Sequence, residues 1–183
     1  MFSGFAQDTL SVINAAMRRA RQRDSHETCT NDLLGALLEL GGGAPELLAE
    51  LGIDTDQLHA AIDSPLLVDA ASSVHPPARE SAASAESPVA IEPPFSLNAI
   101  RALEFAVREA LILRQSAIKP PHLLLGLLRA DGGSARELIW AAFAKATPPD
   151  PDPEDAHELR SIQAPAQLDP PIRNRIIRRM MAR

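Results

Sequence analysis

Apolar residues recur along this chain at three- and four-residue steps, the spacing of one buried helical face. Phe5, Thr9, Val12, Ile13, Ala16, Met17 and Ala20 follow that rule and predict an amphipathic helix over residues 3–23. Arg18, Arg19, Arg21 and Arg23 crowd its last turns, where cations suit the negative end of the helix dipole. Residues 24–29 read as a polar loop. Thr30 reads as the N-cap of a second helix, NDLLGALLEL, which left-handed glycine stops at Gly41-Gly42-Gly43. A third helix, APELLAELG, has Pro45 in its first turn, and a fourth, TDQLHAAI, is capped by Asp54 or Thr55.

The pattern then returns. A displacement of 90 positions sets Phe5 on Phe95, Leu10 on Ile100, Ile13 on Leu103, Arg18 on Arg108 and Leu33 on Leu123. It also sets Leu37 on Leu127 and Gly42-Gly43 on Gly132-Gly133. A unit of about fifty residues repeated without a gap is a helical subdomain rather than a solenoid repeat. The second copy predicts a helix over residues 95–115, HLLLGLLRA behind Pro120-Pro121, SARELIWAAFAKA after the glycine pair, and PEDAHELRSI capped by Asp152.

Residues 65–93 are rich in Ala, Ser, Pro and Glu, which is linker composition. The expected architecture is therefore all-α. Two pseudo-symmetric four-helix repeats, residues 1–64 and 94–163, are joined by the linker 65–93 and followed by a basic tail, 164–183, with a groove between the halves. In the tail, Ile172, Ile176 and Met180 share one helical face and Arg175 and Arg179 lie elsewhere. That pattern fits a frayed or back-docked helix, or a helix that binds a partner or an anionic surface.

Composition narrows the picture. Hydrophobic residues make up 45% of the 183 positions but aromatics only 3%, with no Tyr and the single Trp140. The core must be built from Leu, Ile, Val and Ala, which suits packed helices. Cys29 is the lone cysteine, so no intrachain disulfide exists, and it reads as a small half-buried side chain. The opening MFSGFAQDTL lacks a charged start followed by an apolar stretch, and no apolar run is long enough to span a bilayer. A cytoplasmic protein with no membrane partner is expected. Residues 173–183 hold five Arg and no acid, which leaves −11 on the first 172 residues against a net charge of −6. Such an acidic body disfavours nucleic acid.

Motifs of chemistry are missing. His26, His59, His75, His122 and His157 are scattered, with no HExxH and no zinc quartet. No GxSxG marks a hydrolase elbow and no GxxxxGK[ST] marks a phosphate loop. No enzymatic activity, metal or cofactor is expected, and His122, at a helix start, is assigned a structural hydrogen bond.

The segments MFSGF, TNDLLGALLELGGG, FSLNAIRALEFAVREA and PPHLLLGLLRADGG resemble the duplicated N-terminal domain of the Clp ATPases, the ClpC type in particular. That family opens on Met-Phe-x-x-Phe and carries Thr-Glu-His-Ile-Leu-Leu-Gly-Leu in its repeats. Here the second copy keeps His122, Leu123, Leu124, Leu125, Gly126 and Leu127, and the first keeps Thr30 and its leucines. The resemblance runs from residue 1 to about residue 146.

It implies a recognition module without the ATP-driven motor. Partners would be Clp substrates or adaptors, or Clp ATPase and protease components, with the chain acting as adaptor, competitor or decoy. It also implies two ligand sites. The Glu positions that bind phosphoarginine in the family hold Asn31 and Pro121 here, so weak or absent phosphoarginine binding is expected. An apolar groove takes cyclic hydrophobic peptides, including antibiotics of the cyclomarin type. Its matching positions are Phe2, Ile13, Phe95, Ile100 and Glu104, with Ile100 standing where the family usually has Lys. The alternative is a regulatory protein that holds a partner or nucleic acid through its Arg-rich C-terminal helix.

Overall fold

Helix α1 (Gln7–Gln22) buries the face that the periodicity predicts, with Val12, Ile13, Ala16 and Ala20 inside. It begins later than residue 3, because Phe5 is drawn out of the helix into a parallel bridge with Ile118. Helix α2 (Thr30–Leu40) is capped by Cys29 rather than Thr30. The Asp32 carboxylate reaches back to accept the Cys29 N–H at 2.9 Å, so the cap works through an acid in the first turn and Thr30 is already helical. The left-handed residue of the glycine run is Gly43, at φ 94°, and it opens α3 (Ala44–Glu50) instead of closing α2. Asp54 caps α4 (Thr55–Ile62), accepting from the Asp56 and Gln57 amides.

In the second half, α5 (Leu97–Ile112) starts two residues after Phe95, because Ser96 is its N-cap and Phe95 pairs with Thr28. Helix α6 (Pro120–Arg129) accepts both prolines in its first turn, where no intrahelical amide is needed. Helices α7 (Ser134–Ala146) and α8 (Asp169–Met181) complete the set. This computed structural model describes residues 4–63, 93–146 and 169–181. Among them the fold is all-α, eight helices with no strand. The helix expected after Asp152 and the linker residues 65–92 lie outside the described residues.

The halves are laced together by crossed chain segments. Gly4 accepts from Ile118 N at 2.8 Å and Ile118 accepts from Ala6 N at 2.9 Å. Ninety positions away in each partner, Pro94 accepts from Thr28 N at 2.7 Å and Thr28 accepts from Ser96 N at 3.0 Å. Each half thus places its extended entry segment against the loop of the other. The closest helix contact is α5 on α6. A Cβ built at Gly126 would lie 2.2 Å from the Ala102 carbonyl oxygen, so only glycine lets the two backbones meet.

The tail is docked. Ile172 and Ile176 of α8 are buried in the common core, and α8 packs on α6. Its Arg173 donates to Glu109, a carboxylate with no exposed surface that also accepts from Arg129 Nη1 at 2.9 Å. In the first half the polarity is reversed. Arg19, the counterpart of Glu109, binds Glu39, the counterpart of Arg129, and reaches Asp63 at the end of α4 at 2.6 Å. Helix α4 packs on α2 and α7, whereas α8 packs on α6 and brings Arg179 within 3.7 Å of Glu50 on α3.

Candidate recognition surface

The head of α5 is fixed before it is exposed. The bridge to Thr28 holds Phe95 half-buried, and the Ser96 hydroxyl accepts from Ala99 N at 3.3 Å. One turn further the solvent face carries Leu97, 59% exposed, and Ile100, 42% exposed, with Glu104 a turn beyond. Leu111 and Ile112 stand in water at the far end, and Arg101 and Arg108 lie between. A helix held this firmly with apolar side chains left outside is a surface that another molecule can cover.

Of the five residues expected to line a groove, Phe95, Ile100 and Glu104 lie along the start of α5. Ile13 does not share their surface: it is 1% exposed, packed in the core by the α1 face. Phe2 lies outside the described residues. Leu97, Leu111 and Ile112 had not been singled out. Their signal was present, since they are apolar residues on α5 that fall off its buried stripe of Ala99, Ala102, Leu103 and Ala106.

The positions that matter for phosphoarginine are also defined. Asn31 is 2% exposed and Pro121 is half-buried in the first turn of α6. Neighbouring Asp32 is 1% exposed and engaged by Arg23 Nη2 at 2.5 Å, by Cys29 N and by Cys29 Sγ at 3.1 Å. Burial, reinforced by the Asp32 carboxylate, pushes the Cys29 thiol up to about 11, so the sulfur is a hydrogen-bonded cap rather than a nucleophile. On α6, His122 occupies the place of Asp32 and accepts from Lys119 N at 2.9 Å through Nδ1. Burial lowers its pKa and keeps the ring neutral.

Two recesses flank the core. One of about 290 Å³ lies between α4 and α7, with Leu58 and Leu138 on its walls and Lys145 and Asp54 also lining it. The other, of about 320 Å³, lies between α3 and α8. Among the described residues no group of three His, Cys, Asp or Glu could hold a metal ion, and no helix is long and apolar enough to cross a membrane.

Comparison with known proteins adds the family. The model of the Clp repeat (R) N-terminal domain matches residues 4–142. The chain is 29% identical over 140 residues, 76% of its length, to the chloroplastic ClpA homolog of the Clp protease ATP-binding subunit from Brassica napus, and covers 14% of that protein. The same 29% and 76% hold for the chloroplastic chaperone protein ClpC1 of Arabidopsis thaliana, of which it covers 13%. It thus spans about a seventh of the relatives it matches. The crystal structure of the N-terminal domain of the chaperone ClpD from Arabidopsis thaliana superposes with a TM-score of 0.56 at 18% identity, covering 99% of this chain and 97% of that one. A chain from structural work on a malarial protein secretion system gives 0.58 at 18% identity, covering 77% and 86%.

The cytoplasmic placement expected from the sequence is corrected by these relatives, several of which are named as chloroplastic. A lone cysteine and a polar opening suit any reducing compartment, so they carried no address. The crossed halves, the buried leucines of α2 and α6 and the match over residues 4–142 agree: the chain belongs to the Clp repeat (R) N-terminal domain family, whose members are non-catalytic protein-interaction modules.

Proposed function

We propose that this domain is a recognition module of the Clp protease system that binds its ligand at the head of α5. Peptides, adaptors or cyclic hydrophobic peptides would lie over Phe95, Ile100 and Glu104, with Phe2 joining from the N-terminus. The domain would act without ATP, as adaptor, competitor or decoy. The pairing of bonds under the ninety-residue displacement supports a pseudo-two-fold body, with α8 closing the second repeat as α4 closes the first.

One observation carries the reading: Leu97 and Ile100 are held in water on a helix whose entry is pinned to the other half through Thr28. Covering them removes apolar surface from water at little ordering cost, since the backbone is already fixed. Glu104 offers one polar anchor beside them.

Calorimetric titration with a cyclomarin-type cyclic peptide, with phosphoarginine for comparison, tests this. Peptide binding that Ile100→Asp weakens by about tenfold, with the fold intact, is the expected result. Peptide binding indifferent to Ile100→Asp and Phe95→Ala sinks the assignment. The rival reading, a regulatory protein that holds a partner or nucleic acid through its Arg-rich C-terminal helix, loses the apolar face of that helix, because Ile172 and Ile176 are already buried.

A further inference from the structure

The outer face of α5 runs well past the head that Phe95 pins. Seven residues of this helix are exposed, and six of them fall into pairs centred on Ala106: Ile100 with Ile112, Arg101 with Leu111, and Glu104 with Arg108. The seventh is Leu97. At the far end Leu111 is 70% exposed and Ile112 58%. A ligand seated over Phe95 and Ile100 would leave both in water, since Leu111 lies three turns, about 16 Å, beyond Ile100. Leu97, Arg101, Glu104, Arg108 and Leu111 also recur at alternating steps of four and three. That is the spacing of a seam that lies against another helix. The opposite face of α5 already packs on α6, so the seam looks outward.

We propose that α5 pairs with α5 of a second copy of this chain, antiparallel, about a two-fold axis at the level of Ala106. That one register sets Glu104 opposite Arg108 of the other copy, twice over. It brings Ile100 level with Ile112 of the copy and one residue's rise from its Leu111. The apolar stem of Arg101 then lies along Leu111, with its charged head in water. A parallel pair would set Glu104 against Glu104 and Arg108 against Arg108, so the order of charges selects the antiparallel one. The strip is 16 residues, about 24 Å long and about 10 Å wide, well short of the roughly 800 Å² per partner that a stable interface buries. Pairing is therefore weak and reversible, and protein concentration decides how much of the face is open. A copy held in the pair has Ile100 and Glu104 covered and cannot hold a ligand at the head of α5. Pairing itself needs no ligand, and Leu111 and Ile112 lie outside the ligand's footprint.

Sedimentation equilibrium of the full chain between about 5 µM and 1 mM reads the pairing. A reversible monomer–dimer equilibrium with Kd on the order of 100 µM is expected. Arg108→Glu sets acid against acid and weakens the dimer by about tenfold or more. Adding Glu104→Arg to the same chain restores it, with helix content unchanged throughout. Leu111→Ser weakens the dimer to the same degree, yet leaves the peptide titration at about 5 µM protein as it was. The pairing and the ligand reading therefore stand or fall separately. Should Arg108→Glu disturb the fold through its place over the Phe105 ring, 5.4 Å away, Leu111→Ser alone decides. A monomer over the whole range overturns the proposal. So does a dimer that Arg108→Glu and Leu111→Ser leave as tight as wild type, or one that the added Glu104→Arg fails to restore.

Discussion

Arg173 donates two hydrogen bonds to Glu109, from Nη2 at 2.8 Å and from Nε at 3.2 Å, and ties the last helix to a carboxylate with no exposed surface. Arg129 holds the same carboxylate from α6. One acid therefore joins α5, α6 and α8.

Neutralising that acid is costly, because two guanidinium groups then face each other across an amide. Glu109→Gln is expected to lower stability by about 3 kcal/mol. Arg173→Ala, which leaves Glu109 paired with Arg129, lowers it by about 1–2 kcal/mol. Urea unfolding of both variants measures the difference, and equal losses would show that Arg129 does not sustain Glu109 alone.

Gly126→Ala separates the two helices that touch most closely. Its methyl would meet the Ala102 carbonyl oxygen at 2.2 Å and the Ala106 nitrogen at 2.8 Å, both backbone atoms that cannot step aside. A loss of about 3 kcal/mol or more is expected, read as a fall in melting temperature. A variant as stable as wild type would mean that α5 slides freely along α6.

His122 makes stability depend on acidity. Burial holds its folded pKa below the ordinary 6.5, so the unfolded chain takes up the proton first. Its contribution is complete above that ordinary value and is lost as pH falls beneath it. His122→Asn keeps an acceptor for the Lys119 amide without a titrating ring. Melting curves between about pH 7 and 5 should fall more steeply for wild type than for this variant.

Cys29 should react slowly. A thiol pKa of about 11 against the ordinary 9.0 leaves about a hundredfold less thiolate at neutral pH. Iodoacetamide labelling of the folded protein, timed against labelling in denaturant, reads this directly. Comparable rates in the two conditions would show that the Asp32 and Arg23 contacts do not hold the sulfur.

The helices were legible because each carries its own local signals. Apolar period, Pro45 and Pro120-Pro121 in first turns, and Asp54 as a cap bracket α3, α4 and α6 within a residue or two. The entry segments were not legible. Phe5 and Phe95 look like first helical residues, yet each is pulled straight by a bridge whose partner lies 113 or 67 positions away, at Ile118 and Thr28. The cap of α2 was misread for a related reason, since the group that closes it is a carboxylate three residues on. At the candidate surface, Ile13 and Ile100 look alike as letters. Only packing separates a residue buried by α1 from one left in water on α5. The apolar face of α8 was visible in Ile172, Ile176 and Met180, with docking one of several readings open, but its counterpart, a buried Glu109 awaiting an arginine, has no mark in the sequence.

The reversed polarity of the two ion clusters bears on how such a chain assembles. A duplicated protein runs the hazard of mistaken identity, in which a helix from one half, or from a neighbouring molecule, settles into the wrong cradle. Helix α4 placed on the second half would bring Asp63 against Glu109, acid on acid. Helix α8 placed on the first would bring Arg173 against Arg19, cation on cation. Each mismatch is repelled where the correct match is attracted. With signs reversed at both displaced pairs, Arg19 against Glu109 and Glu39 against Arg129, the two halves carry separate passwords.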